Sequence, residues 1–246
     1  MIEEIIKRYK ETEELKTQSH PRVLFKDTLY DWSKSTLYTR TLPLTILDCT
    51  YKIGLLAEGH LTGKEDDKDR SNNPELKKTL LKSKKSIANI PSLHIPGHYK
   101  GIYFSGEAGN CVLSKGELIS TDEWIFSDKE RITNQDEVQS ILDLYFLSKL
   151  FNRLDFPYTI IVRDKSKVHR RDLNFWIRGG YDFIDRYVVA SKEGVFTGER
   201  TRKAELYLDS IARIFNAEVD CAEKPLGNCS WNCREKSVCP HYSSFH

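Results

Sequence analysis

No stretch of this 246-residue chain is apolar and long enough to cross a bilayer, and its charged first residues do not read as a secretory signal. A membrane partner is therefore not expected, and the location is read as cytoplasmic. Net charge is also nearly absent. Thirty-eight lysines and arginines against 36 acidic residues leave +2, so the molecule as a whole is not a polycation. Internal repeats and low-complexity segments are missing too. What is present, 39% hydrophobic and 11% aromatic residues, describes a folded domain with a real core, or a domain with an appendage.

The small net charge hides two local excesses. Lys77, Lys78, Lys82, Lys84 and Lys85 crowd one segment, and Arg163, Lys165, Lys167, Arg170 and Arg171 form another, interrupted by Asp164. Two basic patches in a near-neutral chain point to a polyanion; solvated basic faces are the plain alternative. The 6 cysteines are uneven as well. Cys49 and Cys111 stand alone, while Cys221, Cys229, Cys233 and Cys239 gather near the C-terminus. In a reducing compartment they read as ligands, nucleophiles or buried thiols rather than disulfides.

Periodicity predicts an amphipathic helix over residues 2–16, with Ile2, Ile5, Ile6 and Tyr9 on one face. Strands and turns follow over 23–47. A short helix from Tyr51 to Ala57 stops at Gly59. After a polar loop, Asn73-Pro74 starts a helix that buries Leu76, Leu80 and Leu81 and presents its lysines outward. Pro91, Pro96 and Gly97 are expected to break the chain before a strand over 99–104, with Glu107 in the turn after it. Residues 111–113 and 123–128 read as strand, 134–154 as a strong helix, 158–162 as strand and 200–216 as a last helix. Between them, Leu173, Phe175 and Ile177 alternate with Asn174, Trp176 and Arg178, and a Gly179-Gly180 turn leads into a second strand ending near Ala190. The order is mixed α+β rather than regular βαβ. Two regions result: residues 1–219 as the main domain and 220–246 as a cysteine-rich tail.

Three sets of residues carry candidate chemistry. Cys229-x3-Cys233-x5-Cys239, with Cys221 upstream and His241 beyond, has the spacing of a tetrahedral zinc site, read as a structural staple. Cys49 beside Asp48 is a candidate nucleophile, with a small buried residue as the plainer reading. Glu107 is a candidate general base, and Arg70 a candidate phosphate contact.

Several segments together resemble DarT, the DNA-directed ADP-ribosyltransferases. They are Gly54–Leu61, Asp69-Arg70-Ser71, His98-Tyr99 through Phe104, Trp124–Asp128 and the helix ending in Leu154-Asp155-Phe156. The resemblance implies an ADP-ribosyltransferase-like mixed sheet with flanking helices, and a cleft lined by His98 and Tyr103. The departures from the family are equally specific. Thr45 and Leu47 stand where it keeps the His and Thr that grip NAD. Its catalytic glutamate falls on Asn174 in one register and on Glu205 in another. With Asn174 there, no carboxylate is left to support ADP-ribosyl transfer, and NAD is not expected.

The DpdC branch of this family, from systems that place 7-deazaguanines in DNA, then supplies the expected function. That function is hydration of 7-cyano-7-deazaguanine in DNA to the 7-amide. Cys49 or zinc-held hydroxide would attack the nitrile, Glu107 or Asp48 would move protons, and Asn174 would bond the base. The partners are DNA carrying a modified guanine, contacted through Lys77, Lys78, Arg170 and Arg171, and other proteins of the same system. Authentic ADP-ribosyl transfer through Glu205 and a non-catalytic DNA-binding module are the alternatives. The cysteine triplet also resembles the tail of Cas4-like nucleases, which holds an iron–sulfur cluster. Those enzymes need an acid two residues before a lysine, and before Lys192 that place is held by Ala190.

Overall fold

The computed structural model describes residues 2–32, 36–40, 49–59, 75–167 and 187–222. Its elements are α1 (Ile2–Glu14), β1 (Arg22–Phe25), β2 (Thr28–Asp31), β3 (Thr36–Tyr38), α2 (Thr50–Ala57), α3 (Glu75–Ser83), β4 (Ala88–Tyr99), β5 (Ile102–Ser114), β6 (Glu117–Ser127), α4 (Asn134–Phe151), β7 (Phe156–Asp164), β8 (Val188–Phe196), α5 (Gly198–Phe215) and β9 (Asn216–Asp220). The class is α+β, as the order of signals predicts.

The main sheet is built around β5. One edge of this strand pairs antiparallel with β4 along nearly its whole length, from Tyr99↔Ile102 to Ala88↔Leu113. The other edge is shared. β3 pairs parallel with Tyr103–Ser105, and β6 pairs antiparallel with Asn110–Ser114. β6 then continues beside β7 in parallel, from Thr121↔Tyr158 to Ser127↔Asp164, and β8 closes that side antiparallel to β7. A parallel β6–β7 pair needs a crossover, and α4 supplies it. A smaller sheet, β2-β1-β9, lies apart from this one in the pairing.

Two expectations about the centre of the chain are corrected. Pro91, Pro96 and Gly97 do not break it; all three lie inside β4. Among the described residues β4 pairs only with β5, and an edge strand tolerates a proline whose missing N–H would face away from its partner. The turn falls instead at Lys100-Gly101, both at positive φ (45° and 82°), inside the segment expected as strand. Glu107 is consequently not in a turn but in the middle of β5.

The helices follow their periodicity. Val138, Ile141, Leu142, Tyr145 and Leu150 of α4 are buried, as are Leu208, Ile211, Ala212 and Phe215 of α5. Thr133 and Asp136 form a capping box that starts α4. In α3, Leu76 and Leu80 are buried, but Leu81 is 47% exposed and does not join the core as expected. The short helix α2 ends before Gly59, whose φ of 84° fits the predicted stop. Phe146 of α4 stacks on Phe104 with ring centres 5.3 Å apart. Gly97 makes that packing possible, since a Cβ there would lie 2.4 Å from the Phe146 ring. Tyr9 of α1 shares a 3.0 Å hydrogen bond with His94 Nδ1 on β4.

Candidate active site

The shared edge of β5 leaves a gap. Strand pairing on that edge runs to Ser105 with β3 and resumes at Asn110 with β6. Gly106-Glu107-Ala108-Gly109 lies between, and side chains from three other elements reach it. A Cβ on Gly106 would sit 2.2 Å from Asp143 Oδ1, and one on Gly109 would sit 2.2 Å from the Trp124 ring. Glycine at both positions is what lets an α4 carboxylate and a β6 indole approach the strand. The backbone N–H of Glu107 donates to Asp143 in place of a neighbouring strand.

The polar contacts are specific. Asp143 Oδ1 accepts a 2.6 Å hydrogen bond from Thr39 Oγ1. Glu107 Oε2 accepts from Arg40 at 3.1 Å, and its Oε1 accepts from the Ser92 hydroxyl. Ser92 has a φ of 50°, a left-handed conformation unusual for a non-glycine residue. Asp122 Oδ2 accepts from Asn110 at 3.3 Å. Arg163 of β7 is fully buried, its guanidinium carbon 4.2 Å from the centre of the Trp124 ring.

This places four carboxylates, Glu107, Asp122, Glu123 and Asp143, with two guanidiniums, Arg40 and Arg163. Burial dominates their chemistry. It pushes Asp143 up to about 7, against the Thr39 hydrogen bond, the Arg40 charge and the Glu107 amide, while the Glu107 charge adds to the rise. Glu123 is raised well above the usual range, first by burial and then by the charges of Asp143, Asp122 and Glu107. Asp122 is raised by burial against the Asn110 hydrogen bond and the Arg163 charge. Glu123 Oε1 and Asp143 Oδ2 are buried with no hydrogen-bond partner among the described residues. An excess of carboxylates in a buried place is relieved by protons or by a cation. Among the described residues no group of three or more His, Cys, Asp or Glu is arranged to hold a metal ion. A cation here would therefore rest on two carboxylates plus water or phosphate oxygens, the way magnesium is held at phosphoryl-transfer sites. Beside the cluster lies a cavity of about 360 Å³, lined among others by Arg40, Trp124, Phe126, Lys129, Gln135 and Gln139.

The residues singled out from the sequence fall in several places. Glu107 lies in the gap. His98 and Tyr103 are cross-strand partners on β4 and β5. His98 is half-buried, and burial lowers its pKa. Tyr103 is 1% exposed, with its hydroxyl donating to Glu13. Lys77 and Lys78 are exposed on α3. Cys49 is buried at the start of α2, and Cys221 is buried just after β9. Burial, Asp220 and then Cys49 push the Cys221 thiol up to about 12, so the fold brings these two distant cysteines near each other. Glu205 lies on the outer helix α5, where its Oε1 accepts from the Tyr145 hydroxyl at 3.4 Å. Asp48, Arg70, Arg170, Arg171, Asn174, Cys229, Cys233, Cys239 and His241 lie outside the described residues.

Sequence reasoning passed over Asp122, Glu123 and Asp143, and it placed Arg163 in an exposed basic patch, whereas the side chain is fully buried against Trp124. A signal existed for Asp143, an acid inside the apolar face of the strongest helix. Gly106-Glu107-Ala108-Gly109 was a second: two glycines around an acid in an apolar run mark close approach to a strand.

No protein-family model and no curated protein matches this chain. A solved structure described as "Crystal structure of SSO0001" is similar over 85% of this chain and 88% of that one, at 11% identity and a TM-score of 0.39. A likeness of that size shows neither a family nor an activity.

Proposed function

We propose that this chain is a nucleic-acid-acting hydrolase whose reaction centre is the carboxylate cluster where β5 and β6 part, working with a divalent cation on a phosphodiester. One observation carries this reading: Glu123 and Asp143, both buried, each keep an oxygen that no described residue satisfies, in a site where carboxylates outnumber guanidiniums. Those two side chains would hold the cation, which supplies charge stabilisation at the phosphate and a more acidic water. Glu107, positioned by Arg40 and Ser92, would orient the attacking water. Asp122-Glu123-Trp124 lies on a central strand, and Arg163 of the neighbouring strand brings a positive charge against the Trp124 ring. The exposed Lys77 and Lys78 would contact the nucleic-acid backbone.

The test is cleavage of single- and double-stranded DNA by the full chain with Mg²⁺ or Mn²⁺. Wild type should cut one of them, and Glu123→Gln and Asp143→Asn should each lose about 100-fold or more. No cleavage with either metal, or cleavage unchanged in both variants, rejects the reading.

A second reading is favoured by the near-neutral Asp143, which suits proton transfer. It is the DNA-base modification that the DarT-like resemblance implies: hydration of the 7-cyano-7-deazaguanine nitrile to the amide on an ADP-ribosyltransferase-like fold, without NAD. The Cys49 thiol would add to the nitrile carbon to give a thioimidate, which water would hydrolyse to the amide with release of the thiol, Glu107 and Asp143 moving the protons. A zinc held by the tail cysteines would supply a more acidic water. DNA carrying the cyano base, incubated with the chain and digested to nucleosides, should then gain one water by mass. The placement of Glu205 on an outer helix does not favour ADP-ribosyl transfer through that residue.

A further inference from the structure

We infer that the cavity beside the carboxylate cluster is a site for one unpaired nucleotide, its base held against Phe126 and its phosphate drawn toward Arg40 and Lys129. This rests on the reading of the chain as acting on nucleic acid, and names the form of substrate. The cavity of about 360 Å³ is in the range of small-ligand sites and far too small for a duplex. Its lining is divided by chemistry. Trp124 and Phe126 of β6 form an apolar wall. Trp124 is 7% exposed and is fixed by Arg163, whose guanidinium carbon lies 4.2 Å from its ring centre, while Phe126 is half-buried and offers its ring to the cavity. Gln135 and Gln139 lie one helical turn apart on α4 and both reach the lining. A side-chain amide carries donor and acceptor together, the complement of a base edge. Thr133 and Asp136 line the cavity as well, but they are engaged with each other in the cap of α4.

The cations complete the assignment. Lys129 and Arg40 are exposed at this cavity, and Arg40 also donates to Glu107 Oε2 at 3.1 Å. One guanidinium therefore joins the cavity to the carboxylate cluster. A nucleotide with its base on Phe126 would present its phosphate beside Arg40, next to the groups proposed to act on it. A base can enter only from a single strand or after leaving the stack.

Fluorescence anisotropy of the full chain in EDTA separates binding from chemistry. The probes are a labelled single strand of about 10 nucleotides and a duplex of the same sequence. Wild type should prefer the single strand. Phe126→Ala and Gln139→Glu should each weaken that binding about tenfold and leave duplex binding unchanged. Gln139→Glu sits on a half-buried helix position, so it decides the matter if Phe126→Ala does not fold. Wild-type affinity for the single strand in Gln139→Glu, or equal losses on single strand and duplex, overturns the inference. The two readings fail separately. Intact metal-dependent cleavage with unaltered variant binding removes the nucleotide site alone. Lost single-strand binding in the variants, with no cleavage by wild type, removes the hydrolase alone.

Discussion

Asp143 is an acid on the buried face of a helix, and burial moves its carboxyl from the usual 3.8 up to about 7. The neutral form is favoured in the fold, so the folded state binds the proton more tightly than the unfolded chain. The resulting stability is fully present below about pH 4, is lost as pH rises toward about 7, and changes no further above that. Glu123 is shifted in the same direction and adds to the slope. Thermal melts should therefore fall between about pH 5 and pH 8, and Asp143→Asn should melt with a shallower pH dependence than wild type. Mg²⁺ should recover part of the loss on the alkaline side, because a bound cation replaces the lost proton. Parallel wild-type and variant curves would remove Asp143 as the titrating group.

At the scale of elements, the site depends on where α4 and β5 place their residues. The helix brings Asp143 to the gap and Gln135 and Gln139 to the cavity, and its first turn is held by the Thr133–Asp136 box. Thr133→Ala removes a side-chain acceptor from the Asp136 amide and should cost about 1 kcal/mol. For a chain of this size that is a fall of about 2–4 °C in Tm. A melting point unchanged by the substitution would show that tertiary contacts alone start this helix. The strand β5 contributes differently, because its glycines at 106 and 109 trade side chains for close approach by Asp143 and Trp124. Its neighbour β4 carries two prolines and still pairs along its length with β5, because among the described residues it has no second partner.

Across the whole molecule, the fold brings Cys49 and Cys221 near each other although they lie 172 positions apart, and the remaining clustered cysteines follow Cys221 in the sequence. A metal held by Cys221, Cys229, Cys233 and Cys239, with His241 as the alternative ligand, would tie the tail to the body of the chain. Metal analysis of the purified chain should find about one zinc, or an iron–sulfur cluster in its place. Cys233→Ser should lower that content and the melting temperature together. Metal-free native protein whose tail thiols all react with a thiol reagent would exclude the site. Cys111 is buried inside β5 and should react only after unfolding.

The sequence alone determined the helices α1, α4 and α5, because an apolar stripe at helical spacing is a local property that survives in any context with a core to cover. It also determined the mixed α+β order, the stop at Gly59 and the presence of a carboxylate at Glu107. Tertiary structure decided what Glu107 belongs to. The prolines of β4 read as breaks because the sequence does not say which strand will lie at an edge. Asp143 and Thr39 bond across 104 positions, and Arg163 reaches Trp124 from the next strand. Contacts of that kind depend on strand register and on which two strands part, and both are set by the packing of the whole sheet rather than by local residue spacing.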